Sequence, residues 1–415
     1  MSFTAIHRAL GRDPGPLTDE LLDEAVQAGV TEAHDLDWKK QLPPEQNLQQ
    51  TDFPKDVAAM ANVGGGVIVF GVSEADKKAD GRLDVGELSE RHERTLRAAA
   101  VTAISPPVFG LEIVRLGTET RAVAVIVPAS VDGPHLIYKG EYFGAPMRVD
   151  ADTHWMRERE LEDAYRTRFD DRRRATQELD ALYRELLEAR NIGEAPMPWM
   201  VCVARPRRPR PTRQRLTKEQ AASFWTVAEA TLTYAHRQFP RPTHHLDVHN
   251  PRAGLRRMVF RPAMPEQPWT ETWAAFHDDG AVTLAGVVRD RPRPDAGQDQ
   301  HPVELVRAVN IEAFVADIMA LVKASAHHHD LDEFEVMVGI EWNSGKRLLL
   351  QTVDITDQDF TGTSVPLARY AKVPATVSTQ ASPANYHRAV HELALDAVNQ
   401  GGIAHVRLIN PPPMP

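Results

Sequence analysis

Four residues near the start of the chain have the types and spacing for chemistry on phosphate. Glu32 and Asp37 are acids separated by a short interval, Lys39 follows closely, and Glu74 stands behind a glycine turn and an apolar run. Carboxylates hold hard divalent ions, which activate water and neutralise charge on a scissile phosphate. A lysine beside them can stabilise the negative charge that develops. The alternative is a solvated cluster in which Lys39 merely pairs with Asp37. Gly64, Gly65 and Gly66, just after Asn62, can cradle a phosphate with backbone amides or simply make a tight turn. They are not a P-loop, because no Gly-Lys-Ser/Thr follows, and they are not a dinucleotide fingerprint, because they end a helix and open a strand.

The elements around these residues decide whether they meet. Leu17–Val30 reads as an amphipathic helix. Residues 34–40 read as a strand with Leu36 and Trp38 on one face, which puts Asp35, Asp37 and Lys39 on the other. Phe53–Ala61 has helical spacing at Phe53, Val57, Met60 and Ala61, and the glycines end it. Val67–Val72 is a continuous apolar run, as in a buried strand. If the two strands are neighbours, Glu32, Asp37 and Glu74 converge.

Composition bounds the partners. A length of 415 residues allows two or three domains, and 42% hydrophobic content allows sizeable cores. The net charge of -10 excludes a basic field over the whole molecule, so nucleic-acid binding needs a local patch. The single cysteine, Cys202, excludes an internal disulfide framework and suits a reducing cytoplasm; it reads as buried and inert. No apolar run approaches ~18 residues, so no membrane span is expected, and no signal peptide is read at Met1–Thr4.

Further along, a helix is expected at 90–104 and strands at 108–116, 121–127, 134–138 and 146–149. Residues 156–190 read as one long helix or two consecutive ones. Gly193, Pro196 and Pro198 then mark a boundary. Beyond it the pattern is α+β, with strands at 199–204, 255–261, 272–277, 281–288, 333–342, 347–356 and 404–408, and helices at 217–238, 309–324 and 383–399. Arg205, Arg207, Arg208, Arg210, Arg213 and Arg215 form a proline-extended basic segment suited to phosphate. Arg172–Arg174 is a weaker cluster. His245-Leu246-Asp247-Val248-His249 would align its polar groups on a strand, and His327–His329 sits at a helix end, yet neither has a zinc framework. No Gly-x-Ser-x-Gly element supports serine hydrolase chemistry.

Residues 20–165 resemble the Schlafen AlbA-type domain. Glu32, Asp37, Trp38 and Lys39 match its Glu-x4-Glu-Phe-Lys element. Ala59, Asn62, Gly65 and Gly66 match the helix end, and Gly71, Val72 and Glu74 the strand end. Pro134-His135 and Arg148-Val149 with Thr153 match the late elements. The resemblance implies an α/β module in which Glu32, Asp37 and Glu74 are the metal carboxylates of an endoribonuclease, with Mg or Mn as cofactor, acting on structured RNA such as transfer RNA. Asp replaces the usual Glu at 37 and Glu the usual Asp at 74, so reach changes by one methylene at each place. It also implies paired modules, hence a homodimer or higher oligomer with RNA or DNA between copies, and Arg148 in contact with nucleic acid.

The expected organisation is therefore a lead-in (1–19), an α/β AlbA-type module (20–165), a linking helix region (156–195) and a second α+β domain of unnamed role (197–415). Three functional readings follow: a metal-dependent endoribonuclease in defence or stress, a non-catalytic DNA-binding regulator, and a nucleotide- or ligand-binding sensor.

Overall fold

The computed structural model describes residues 3–140, 142–195, 197–208, 215–236, 239–288, 303–343, 345–353, 358–362 and 364–413. The chain divides into two compact units, Met1–Arg173 and Arg174–Pro415.

The first unit opens with helices α1 (Ala5–Ala9) and α2 (Asp19–Gln27), then strand β1 (Leu36–Lys39), helix α3 (Phe53–Ala61), strand β2 (Gly66–Phe70) and the hairpin β3 (Val72–Ala75) and β4 (Lys78–Arg82). Helix α4 (Glu90–Thr102) and strands β5 (Ile104–Ser105), β6 (Glu112–Leu116) and β7 (Ala122–Val127) follow. Strands β8 (Leu136–Lys139), β9 (Tyr142–Gly144), β10 (Pro146–Val149) and β11 (Asp152–Trp155) complete the unit's sheets. Its central sheet runs β1-β2-β7-β6. β1 is parallel to β2, and the other pairs are antiparallel.

Alternation along the strands separates two cores. Leu36, Trp38, Val67, Val69, Ala122 and Ala124 pack with Ile6 and Leu22 of α1 and α2. Ile68, Phe70, Val123, Val125 and Val127 face the other way, against Phe53, Val57 and Met60 of α3 and Leu96 of α4. This is why Asp37 and Lys39, out of phase with Leu36 and Trp38, emerge on the α3 side of an edge strand.

Residues 156–190 form one helix, α5 (Glu158–Ala189), of 32 residues. The division into units falls within it, ahead of the Gly193–Pro198 break. The reason is packing: Leu179 and Tyr183 join Trp199, Val201 and Val203 in a core of the second unit.

The second unit contains strand β12 (Trp199–Pro206), helix α6 (Lys218–Thr231), strands β13 (Arg252–Gly254), β14 (Arg257–Phe260), β15 (Thr272–His277), β16 (Val282–Val287) and β17 (Val303–Arg307), and helix α7 (Ala308–His329). Strands β18 (Glu333–Glu341), β19 (Arg347–Val353), β20 (Asp359–Phe360) and β21 (Val373–Ser378) and helix α8 (Pro383–Asn399) follow. The main sheet runs β13-β14-β15-β16-β12-β18-β21 and is antiparallel throughout. One face carries Met200, Cys202 and Ala204 against α6, α7 and α8; the other carries the residues that meet α5.

Two expectations change. No strand forms at 404–408; instead Glu312 Oε2 accepts the backbone N–H groups of Arg407, Leu408 and Ile409 at 2.8, 2.5 and 3.3 Å. The His245–His249 stretch is not a strand, because Pro242–His245 closes a 3-10 turn. His327–His329 form the last turn of α7, the helix end expected for them. Among the described residues no helix is long and apolar enough to cross a membrane.

Candidate functional site

The site is built on β1, the segment before it, the β3–β4 hairpin, α3 and β10. Asp37 is buried at 3% exposure, and two cations hold its carboxylate. Arg148 Nη1 donates to Oδ1 at 3.0 Å, and Lys39 Nζ lies 2.8 Å from Oδ2. Arg148 also donates to the carbonyl oxygens of Leu36 at 3.4 Å and Ala151 at 3.2 Å. The sequence placed Arg148 at a nucleic-acid surface. The structure instead buries it as the partner of Asp37, because β10 delivers it beneath the start of β1.

Glu32 is tied down by its own neighbours. Its backbone N–H donates to the Lys77 carbonyl at 2.8 Å, and its Oε1 accepts from the Trp38 N–H at 2.9 Å. Burial pushes its pKa up to about 7; the Trp38 N–H and Arg148 oppose the rise, while Asp37 and Glu74 add to it. Glu32, Asp37 and Glu74 are therefore electrostatic neighbours, as their spacing suggested. Glu74 stands exposed at an irregularity of the β3–β4 pairing. Asp35 leaves the group: it precedes β1 and pairs with Arg8 at 2.7 Å.

Sequence reasoning missed Asp56. It lies on α3 at 5% exposure, and its Oδ2 is 3.7 Å from Lys39 Nζ. Burial pushes its pKa up to about 6, against the pull of Lys39. A signal existed: Phe53, Asp56, Val57 and Met60 share one helical stripe, so an acid sits where an apolar residue is expected. Burial works against the charge of Lys39, but Asp37 and Asp56 outweigh it and its pKa is raised.

Three carboxylates are the oxygen donors that Mg or Mn takes. As arranged here they do not fit such an ion. Among the described residues no three His, Cys, Asp or Glu side chains gather closely enough to hold a metal, and Asp37 is engaged by Arg148 and Lys39.

The glycine turn has a packing explanation. Gly65 has φ +90, and a Cβ there would lie 2.6 Å from Ala129 N and Val127 O. Its N–H donates to the Met60 carbonyl at 2.8 Å, so it has no amide left for an anion. Gly66 backs onto Asp35, where a Cβ would meet the carbonyl oxygen at 2.8 Å. Gly64, at φ +104, faces open space. Asn62 is a clamp: its side chain donates to the His135 and Pro146 carbonyls at 3.0 and 2.7 Å and accepts the His135 N–H at 2.7 Å.

Of the basic segment, Arg205 belongs to β12 and pairs with Glu178 at 3.0 Å. Arg207 pairs with Glu333 at 2.8 Å and Glu335 at 3.1 Å. Both serve the second unit's own acids: Arg205 meets Glu178 on α5, and Arg207 meets Glu333 and Glu335 because β18 lies alongside β12. Arg208 is half-buried, and Arg210 and Arg213 lie outside the described residues. Cys202 is fully buried, and burial pushes its thiol pKa up, as suits an inert side chain.

Among solved structures, the chain is similar to the DIP2311 protein from Corynebacterium diphtheriae, at 17% identity over 35% of this chain and 27% of that one, with a TM-score of 0.26. It is also similar to the N-terminal domain of a RecG-related protein from Nitrosomonas europaea, at 18% identity over 34% of this chain and 94% of that one, with a TM-score of 0.25. No curated protein matches the chain. The residues that build the site, from Glu32 through Arg148, fall inside the span 32–157 that matches the family model Schlafen, AlbA_2, and this part of the chain is a domain of that family.

Proposed function

We propose that this domain processes nucleic acid and that the Glu32 cluster makes it an endoribonuclease acting on structured RNA such as transfer RNA. The observation that carries this reading is Glu32, held near neutrality by burial beside Asp37 and Glu74. A carboxyl with a pKa near the working pH is suited to take a proton from an attacking hydroxyl and return it to a leaving group. Lys39, whose raised pKa keeps it charged, is placed to offset negative charge on the phosphate. Arg148 fixes Asp37, which in turn fixes Lys39. Pairing of two copies around the RNA belongs to the same reading. So does a test for Mg or Mn, which would require Lys39 to leave Asp37 Oδ2.

The test is cleavage of transfer RNA, other structured RNA and DNA, each with Mg, with Mn and with chelator. Glu32→Gln, Asp37→Asn, Lys39→Gln and Glu74→Gln run beside the parent. Cleavage of RNA by the parent, lost in Glu32→Gln and Lys39→Gln, supports the assignment. Persistence in chelator separates acid–base from metal-assisted chemistry. The second reading, a non-catalytic DNA-binding regulator, is favoured by the neutralisation of Asp37 inside a buried pair. Retention of DNA with no cleavage of any substrate would select it.

A further inference from the structure

The ion pairs around β1 and α3 continue past the cluster. Arg148 meets Asp37 at 3.0 Å, Asp37 meets Lys39 at 2.8 Å, Lys39 meets Asp56 at 3.7 Å, Asp56 meets Lys55 at 3.8 Å, and Lys55 meets Asp52 at 2.7 Å. Charge alternates along this chain as it runs from the interior to the surface. Arg148, Asp37 and Asp56 are buried, whereas the side chains of Lys39 and Lys55 are 38% and 24% exposed. Asp56 is the common partner: Lys39 approaches its Oδ2 and Lys55 its Oδ1. The two ammonium groups thus flank one buried carboxylate at the surface, each with a closer second acid, Asp37 for Lys39 and Asp52 for Lys55, on elements of different type, a strand and a helix. With Lys39 Nζ 3.7 Å and Lys55 Nζ 3.8 Å from the same carboxylate, the two ammonium groups are close enough together to meet neighbouring phosphates of one strand.

We infer that Lys39 and Lys55 form a two-point grip on neighbouring phosphates of a nucleic-acid strand, with Asp56 as the shared anchor that sets their spacing. Nothing in the sequence pattern singled out Lys55, and Asp56 showed there only as an acid on an apolar helical stripe. The inference rests on the reading of this domain as a nucleic-acid module, and it assigns the substrate's backbone to this face. Lys39 spans both sites, since it reaches Asp37 as well. Asp56 is a positioning residue; it works through the lysines.

The anchor makes a prediction opposite in sign to simple electrostatics. Removing a negative charge near a phosphate ordinarily tightens binding. If Asp56 sets the geometry of two lysines, Asp56→Asn loosens it. The experiment is fluorescence anisotropy of a labelled 2′-O-methyl RNA oligonucleotide, which resists hydrolysis through the 2′ oxygen, across a salt series. The full chain is compared with Lys39→Gln, Lys55→Gln, Asp56→Asn and a control in the second unit, Lys218→Gln. Each lysine of the grip is expected to reduce the slope of log K against log salt by about 0.7, with no change for the control. Asp56→Asn is expected to weaken binding severalfold while keeping the parent's melting temperature. Tighter binding by Asp56→Asn, or a Lys55→Gln slope equal to the control's, overturns the grip while leaving the nucleic-acid reading intact. No binding by the parent at low salt overturns both. An Asp56→Asn variant that fails to fold leaves the Lys55→Gln slope to decide.

Discussion

Asp37 and Arg148 stand 111 residues apart in the chain and meet at 3.0 Å, with side chains 4% and 2% exposed. Neither charge would persist at that depth alone, so each is the condition for the other. Arg148→Met strands a buried carboxylate with only a partly exposed lysine to compensate it. The expected loss is about 3 kcal/mol, at the low end for a broken buried pair. Urea denaturation measures it. The double variant Asp37→Asn with Arg148→Met should recover much of the loss, and a double variant no better than the single would refute the pairing.

Glu32 makes stability depend on pH. The folded chain keeps its proton up to about pH 7, whereas an ordinary glutamate gives its proton up near pH 4.5. Between those values the folded state binds more protons than the unfolded one, so stability falls as pH rises. Asp56 and Glu312 act in the same sense, being raised to about 6 and about 7. The readout is therefore the difference between variant and parent. Glu32→Gln, which keeps an acceptor for the Trp38 N–H, should show a shallower decline in melting temperature from pH 5 to pH 8. Parallel curves for the two proteins would contradict the shift.

Glu312 collects the amides of 407–409, a segment whose other side bridges Tyr234–His236. Glu312→Gln retains an oxygen for the Arg407, Leu408 and Ile409 amides and should fold with nearly parental stability. Glu312→Leu leaves those groups without their acceptor, at ~1–3 kcal/mol for a buried donor left unsatisfied. Hydrogen exchange at Leu408 and Ile409 should accelerate in the Leu variant and not in the Gln variant.

The glycine turn distinguishes strain from collision. Gly64→Ala meets open space and suffers only its φ of +104, whereas Gly65→Ala at φ +90 also drives a Cβ against Val127 O and Ala129 N. Strain alone costs about 1–2 kcal/mol; the collision adds to it because both obstacles are backbone. Thermal denaturation should rank Gly65→Ala well below Gly64→Ala. Equal losses would count against the packing account.

Local patterns settled much of the first unit. The two-residue period of β1 separates Leu36 and Trp38 from Asp37 and Lys39. The helical stripe of α3 and the apolar run of β2 are equally local, because each depends on neighbours within a few residues. The β3–β4 hairpin escaped notice because its turn residues, Asp76 and Lys77, take positive φ values of 51 and 62 without a glycine to signal it. Strand β21 was hidden by Pro374, which an edge position tolerates. Only tertiary structure decided what the charges do. Whether Asp37 meets an arginine depends on β10, and Lys39, already paired with Asp37 on its own strand, gains its second acid, Asp56, from another element. Sequence spacing carries the direction of a side chain along its own strand or helix. The partner that neutralises it comes from packing between elements, where burial makes an unpaired charge too costly to keep.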